Sequence, residues 1–128
     1  MRQKKATLTD QELEIMKIVW SLNEATVRDV YEKLLERRKI AYTTVMTLMK
    51  ILETKGHLRK SSAERAHVYR PTLPKQQVIG GMVREFVNRV FNGSAEPLLI
   101  HLVEDEGLNE KELAEIIRLA RGDGRRKP

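Results

Sequence analysis

Ala41-Tyr42-Thr43-Thr44-Val45-Met46-Thr47-Leu48-Met49-Lys50-Ile51-Leu52-Glu53-Thr54-Lys55-Gly56 carries apolar residues at helical spacing beside a face of a different kind. Projected at about 100° per residue, Val45, Leu48, Met49 and Leu52 share one side of a helix. Thr43, Thr47, Lys50 and Thr54 share the other, with Met46 at its edge. Gly56 supplies a left-handed cap just after Lys55. The outer face is therefore small hydroxyls plus one cation. An ordinary solvated helix would carry Glu/Lys pairs there, because threonine is a mediocre helix former. Hydroxyls bond phosphates or base edges, and a threonine methyl packs on a thymine methyl. The bland alternative is a core helix that happens to be rich in threonine.

The residues that follow favour the first reading. His57–Ser61 and Arg65–Arg70 read as two short strands around the turn Ser62-Ala63-Glu64. Leu58, Val68 and Tyr69 are their apolar anchors, while Arg59, Lys60, Arg65 and Arg70 make the hairpin basic. A basic hairpin alone is usually a solvated edge guarded against aggregation. A helix followed by such a hairpin is a winged helix-turn-helix arrangement, in which the helix enters the major groove and the wing rests on phosphates.

Composition sets the outer limits. At 128 residues the chain suits one compact domain or two very small ones. Cysteine is absent, which excludes disulfides, thiolate metal sites and cysteine nucleophiles. No apolar run approaches the roughly 20 residues of a membrane span. Met1-Arg2-Gln3-Lys4-Lys5 is not followed by an apolar segment, so no signal peptide and a cytoplasmic location are expected. The net charge of +6 is unevenly placed: residues 1–74 hold 15 Lys/Arg and 9 Asp/Glu, and residues 75–128 hold 9 of each. All the excess positive charge lies in the half with the helix and wing, as expected for a DNA-binding half joined to a neutral one.

In chain order, Thr9-Asp10-Gln11-Glu12 has capping-box spacing and opens a helix to about Leu22. Leu13, Met16 and Trp20 form a stripe there, beside Ile15 and Val19, and Trp20 reads as core and not as a base-stacking residue. Thr26-Val27-Arg28-Asp29 starts a second helix, whose apolar face is Val27, Val30, Tyr31, Leu34 and Leu35. Its basic end, Arg37-Arg38-Lys39, suits either the helix dipole or a phosphate. Beyond Pro71-Thr72-Leu73-Pro74 the spacing predicts a helix over 74–91, interrupted in propensity by Gly80-Gly81, where close packing or a bend is expected. Ser94 should cap a further helix closed at Gly107, and Asn109–Glu112 the last, ended by Gly122. The basic tail Arg125-Arg126-Lys127 should be disordered.

The order and spacing of these segments resemble the penicillinase-repressor (BlaI/MecI-type) family. The segments are LTDQELEIMKIVW from Leu8, TTVMTLMKILETKG from Thr43, VYRP from Val68 and VFNGSAEPLLIHLVEDEGLNEKELAEI from Val90. The resemblance runs from Leu8 to about Leu119. It implies a mainly α protein: a winged helix-turn-helix domain over residues 1–73, then a helical dimerisation region over 74–128. It further implies a homodimeric bacterial repressor of resistance genes, with Thr43, Thr44, Thr47 and Lys50 facing double-stranded operator DNA. Met46, Arg59, Lys60 and Arg65 complete the expected contact set. Ala41 departs from the family, where a capping serine is common.

The C-terminal helices are too few and too apolar for an independent core, which points to dimerisation through Val83, Phe86, Leu98, Leu99, Leu102, Val103, Leu113, Ile116 and Ile117. Folding back on the winged half is the alternative. In many members of the resembled family an inducing protease cuts an Asn-Phe bond, and the matching pair here is His101-Leu102. The resemblance thus implies vulnerability at that place but a different cleavage specificity. The cysteine pair of copper-sensing relatives is missing. His57, His67 and His101 lie too far apart for metal-ligand spacing on one element, Gly80-Gly81 is no phosphate loop, and Glu104-Asp105-Glu106 reads as a solvated helix end. No enzyme, metal or cofactor is expected. The reading is a homodimeric repressor that occludes a promoter at an inverted-repeat operator; the rival is a winged-helix module that binds protein.

Overall fold

The computed structural model describes residues 7–61 and 67–122. Its elements run α1 (Asp10–Leu22), α2 (Val27–Leu35), α3 (Tyr42–Thr54), β1 (Leu58–Lys60), β2 (Tyr69–Pro71), α4 (Lys75–Phe91), α5 (Glu96–Asp105) and α6 (Glu110–Gly122). The fold is mainly α with a small antiparallel wing, as the sequence predicts.

Local chemistry sets the starts of the first two helices. The Thr9 hydroxyl accepts the Glu12 amide at 3.2 Å, and Glu12 Oε1 accepts the Thr9 amide at 2.9 Å. Thr26 and Asp29 repeat the same reciprocal box at α2. Each box satisfies two of the donors that a helix N-terminus leaves unpaired. α3 has no such device: Ala41 stands at its N-cap without a side-chain hydrogen bond. Gly56, at φ +89°, turns the chain out of α3 as expected.

α1, α2 and α3 enclose one core. Ile15, Met16, Val19, Val30, Leu34, Val45, Met49 and Leu52 are all essentially removed from solvent. Leu13, Trp20 and Leu48 pack on its edge, and Leu35, expected inside, is exposed. The wing closes the core from below through Leu58 and Tyr69. In its ladder Leu58 faces Pro71, Arg59 faces Arg70 and Lys60 faces Tyr69. The second strand therefore starts at Tyr69, later than expected; Ser61 still donates to the Val68 carbonyl at 2.9 Å. The expected turn Ser62-Ala63-Glu64, and Arg65, lie outside the described residues.

A further pairing was not legible in the sequence. Ala25, between α1 and α2, makes a one-residue antiparallel bridge to Tyr69, with N–H···O distances of 3.0 and 2.8 Å. The bridge attaches the wing to the α1–α2 link. His57 is buried where Thr72 bonds the Gly56 and His57 carbonyls.

The described residues fall into two compact units divided between Met82 and Val83. The expected boundary was 73/74. Val78 and Met82 pack against the N-terminal core, which places the first turns of α4 with the winged half. The Trp20 indole N–H donates to the Leu73 carbonyl at 3.2 Å, so Trp20 does anchor the inside of the fold. α4 runs unbroken through Gly80-Gly81, and a Cβ at Gly80 would meet nothing within 4 Å. Among the described residues, nothing packs closely on Gly80. In the second unit, Asn92 and Gly93 adopt positive φ and end α4. Ser94 does not cap α5, which begins at Glu96 behind Ala95. The reason is Pro97: it would occupy the third helical position of a Ser94 cap and has no N–H to give. Asn109 and Glu112 make the expected reciprocal cap on α6.

Met49 tests the core. Met49→Ala should lower unfolding free energy by about 2–5 kcal/mol, as expected for emptying a buried site. Urea denaturation followed by circular dichroism measures it.

Candidate nucleic-acid interface

α3 presents two faces of opposite character. Val45, Met49 and Leu52 are buried, whereas Thr43, Thr44, Met46, Thr47 and Lys50 are exposed. The structure thus gathers all five of the expected α3 residues on the solvent side of one helix. Lys50 makes no ion pair among the described residues, so its ammonium is available to an outside anion. The first turn of α3 lies on the same element, with no side-chain cap on its amides and no acidic residue in that turn.

Sequence reasoning missed two further exposed side chains, Tyr42 and Ile51. The Tyr42 ring stands edge-on to Tyr31 of α2, with centroids 5.2 Å apart and planes at 81°. That contact ties the first turn of α3 to α2 while leaving part of Tyr42 open to solvent. No periodicity could have announced it, because the partners lie on different helices.

The basic side chains divide into free and engaged. Arg59 alternates outward from buried Leu58, is exposed, and has no ion-pair partner among the described residues. Lys60 is half-buried and lies 3.9 Å from Glu53 of α3, so part of its charge is spent on fixing the wing to the helix. Arg70 is committed to Glu24 beside the Ala25–Tyr69 bridge. Arg38 pairs with Glu14 at 2.8 Å, with Arg37 at 3.9 Å from the same carboxylate. The basic end of α2 is therefore tied back to α1. Burial, with the nearby Glu53 charge adding to it, pushes the Tyr69 phenol above its ordinary range, keeping it neutral against Leu58 and Ala25.

Behind the exposed face sits a buried ion pair. Lys55, the C-cap residue just beyond Thr54 of α3, reaches Glu12 Oε1 at 2.7 Å and the Thr7 carbonyl at 3.0 Å. The Glu12 side chain is 4% exposed. Burial pushes its carboxyl up, but the Lys55 hydrogen bond and charge, with the Thr9 cap, together outweigh burial and hold it below its usual value.

The second unit carries the expected dimerisation residues. Val83, Phe86, Leu99, Val103, Ile116 and Ile117 are exposed, and Leu98, Leu102 and Leu113 are only half-buried. No residue of α4 or α5 is buried. The Phe86 and Phe91 rings meet edge-on at 5.8 Å, and His101 lies against Phe91 and 3.0 Å from Asp105. His101-Leu102 sits within regular helix.

Comparison with known proteins gives a consistent picture. The family model described as "Penicillinase repressor" matches residues 8–121. A transcriptional regulator BlaI from Mycobacterium tuberculosis is 36% identical over 125 residues, covering 94% of this chain and 91% of that one. A penicillinase repressor from Bacillus licheniformis is 26% identical over 112 residues, covering 88% of each. The solution structure of monomeric Bacillus licheniformis BlaI in complex with the blaP half-operator superposes with a TM-score of 0.51 at 27% identity. It covers 59% of this chain and 92% of that one.

Glu12 predicts a pH dependence. Its lowered folded value means that its stabilising contribution is present above the ordinary glutamate value of 4.5 and is lost as pH falls through the folded value. Glu12→Gln should cost on the order of 1–2 kcal/mol near neutrality, and that cost should shrink as pH falls below the ordinary glutamate value and through the lowered folded one. Urea midpoints of both proteins from pH 3 to pH 7 measure it.

Proposed function

Because the chain belongs to the penicillinase-repressor family, we propose that it acts as a homodimer reading an inverted-repeat operator with the outer face of α3. It is a DNA-binding transcriptional repressor and not an enzyme. Repression is steric: the bound dimer occludes the promoter. The observation that carries the reading is the exposed hydroxyl-and-lysine face of α3 on a helix whose opposite face packs into the core through buried Val45, Met49 and Leu52. A hydroxyl-rich face with one free cation is suited to base edges and phosphates, and it is poorly suited to a protein partner, which would favour aromatic anchors. Thr43, Thr44, Met46, Thr47 and Lys50 read the major groove, and Arg59 and Arg65 neutralise phosphates from the wing. Lys60 contributes less, because Glu53 shares its charge.

Dimerisation belongs to the second unit. Helices with so much apolar surface and no buried residue among those described in α4 and α5 do not close a core alone. A second copy supplies the missing cover, and two-fold symmetry then demands an inverted repeat. Tethering two heads raises affinity by roughly 10²–10⁴ without new DNA contacts. Any release that separates the heads, including proteolysis near His101-Leu102, would reverse that gain.

Two experiments test these roles. Thr47→Ala should cost on the order of 1–3 kcal/mol on the selected operator with little change on random DNA. Arg59→Ala should weaken both and lower the salt slope by about one. Fluorescence-anisotropy titrations at several salt concentrations decide it; equal losses on both DNAs for Thr47→Ala would remove base readout from α3. For the dimer, Ile116→Asp with Ile117→Asp should convert the protein to monomer in sedimentation equilibrium and weaken operator binding by about 10²-fold or more. An unchanged dimer would move the interface away from α6.

A further inference from the structure

We propose that Lys55 is a positioning residue for sequence recognition: its bond to buried Glu12 fixes the angle at which α3 offers Thr43, Thr47 and Lys50 to DNA. The proposal rests on the reading of α3 as the base-reading helix. Lys55 stands where α3 ends and the chain turns, through Gly56, into the wing. Its ammonium joins two acceptors at the start of α1, Glu12 Oε1 at 2.7 Å and the Thr7 carbonyl at 3.0 Å. The same Glu12 oxygen also accepts the Thr9 amide, so one carboxylate both caps α1 and receives the cation of α3.

The core alone would leave α3 less well aimed. Apolar contacts at Val45, Met49 and Leu52 are strong but non-directional. A charge-assisted hydrogen bond is short and directional, and here it acts at the far end of the helix from Thr43. Lys55 lies twelve positions beyond Thr43, which is about 18 Å along the axis at about 1.5 Å per residue. A tilt of about 5° at the clamped end therefore moves Thr43 by about 1.5 Å, more than a hydrogen bond to a base edge tolerates. Phosphate contacts from flexible lysine and arginine side chains absorb such a shift. Loss of the clamp should therefore reduce specificity more than general affinity.

The test compares wild type, Lys55→Met, Lys55→Arg and Glu12→Gln on two duplexes. One is the highest-affinity sequence that the wild-type protein selects from a randomised pool; the other is a scrambled duplex of equal length. Each variant is measured at a temperature where circular dichroism shows it folded. Lys55→Met should lose about 10-fold or more on the selected duplex and stay within about two-fold on the scrambled one. Lys55→Arg should recover most of the ratio, since guanidinium also pairs with carboxylate. If Lys55→Met does not fold, Glu12→Gln, which keeps size and an acceptor for Thr9, carries the comparison and should show the same direction of loss. A wild-type ratio in both Lys55→Met and Glu12→Gln overturns the proposal, as do equal losses on the two duplexes. If wild type selects no sequence and Thr47→Ala changes nothing, the reading of α3 fails and the proposal fails with it.

Discussion

Val45, Met49 and Leu52 are fully withdrawn from solvent, and their burial against α1 and α2 is the interaction on which the N-terminal unit rests. Each such side chain contributes about 1.5–3 kcal/mol when removed from water, enough together to hold one helix in place. Burial of one face is also what leaves the opposite face of α3 free. The Glu12–Lys55 pair closes one end of that helix, and the Tyr31–Tyr42 contact steadies the other. Between these ends lie the threonines, Met46 and Lys50.

The wing depends on the same helix. Gly56 redirects the chain, Thr72 bonds the carbonyls at the turn, and Glu53 draws Lys60 toward α3. The Ala25–Tyr69 bridge then fastens the second strand to the α1–α2 link. Charges near this framework are mostly consumed by it: Arg38 serves Glu14, Arg70 serves Glu24 and Lys55 serves Glu12. The positive balance of residues 1–74 is therefore a poor guide to which cations are free. Lys50 and Arg59 are, among the described residues.

What the sequence made legible was what depends on near neighbours. Thr9/Glu12, Thr26/Asp29 and Asn109/Glu112 are three residues apart, and each makes the expected reciprocal cap. The two faces of α3 follow from helical spacing alone. Contacts across many residues were not legible: Lys55 is 43 positions from Glu12, and Trp20 is 53 from Leu73. A one-residue bridge at Ala25 has no period to detect. Ser94 misled because Pro97, three positions on, removes the amide that a serine cap would need. The compact units divide between Met82 and Val83, whereas the sequence suggested Pro74: Pro74 marks a helix start, but Val78 and Met82 of that helix pack on the N-terminal core. Burial in the second unit was beyond periodicity, because a stripe of valine, leucine and isoleucine reads the same whether its cover comes from its own chain or from another.

The proposed role of α3 makes its solvent face the surface that meets DNA. The most direct measurement is a two-dimensional amide NMR titration of the full chain with a duplex carrying the half-site that the protein selects from a randomised pool. The largest shifts should fall at Thr43, Thr44, Thr47 and Lys50, with smaller ones at Arg59, and unchanged signals for Ile15, Met16 and Val30 in the core. Saturating DNA that left the α3 amides in place while shifting residues elsewhere would contradict it.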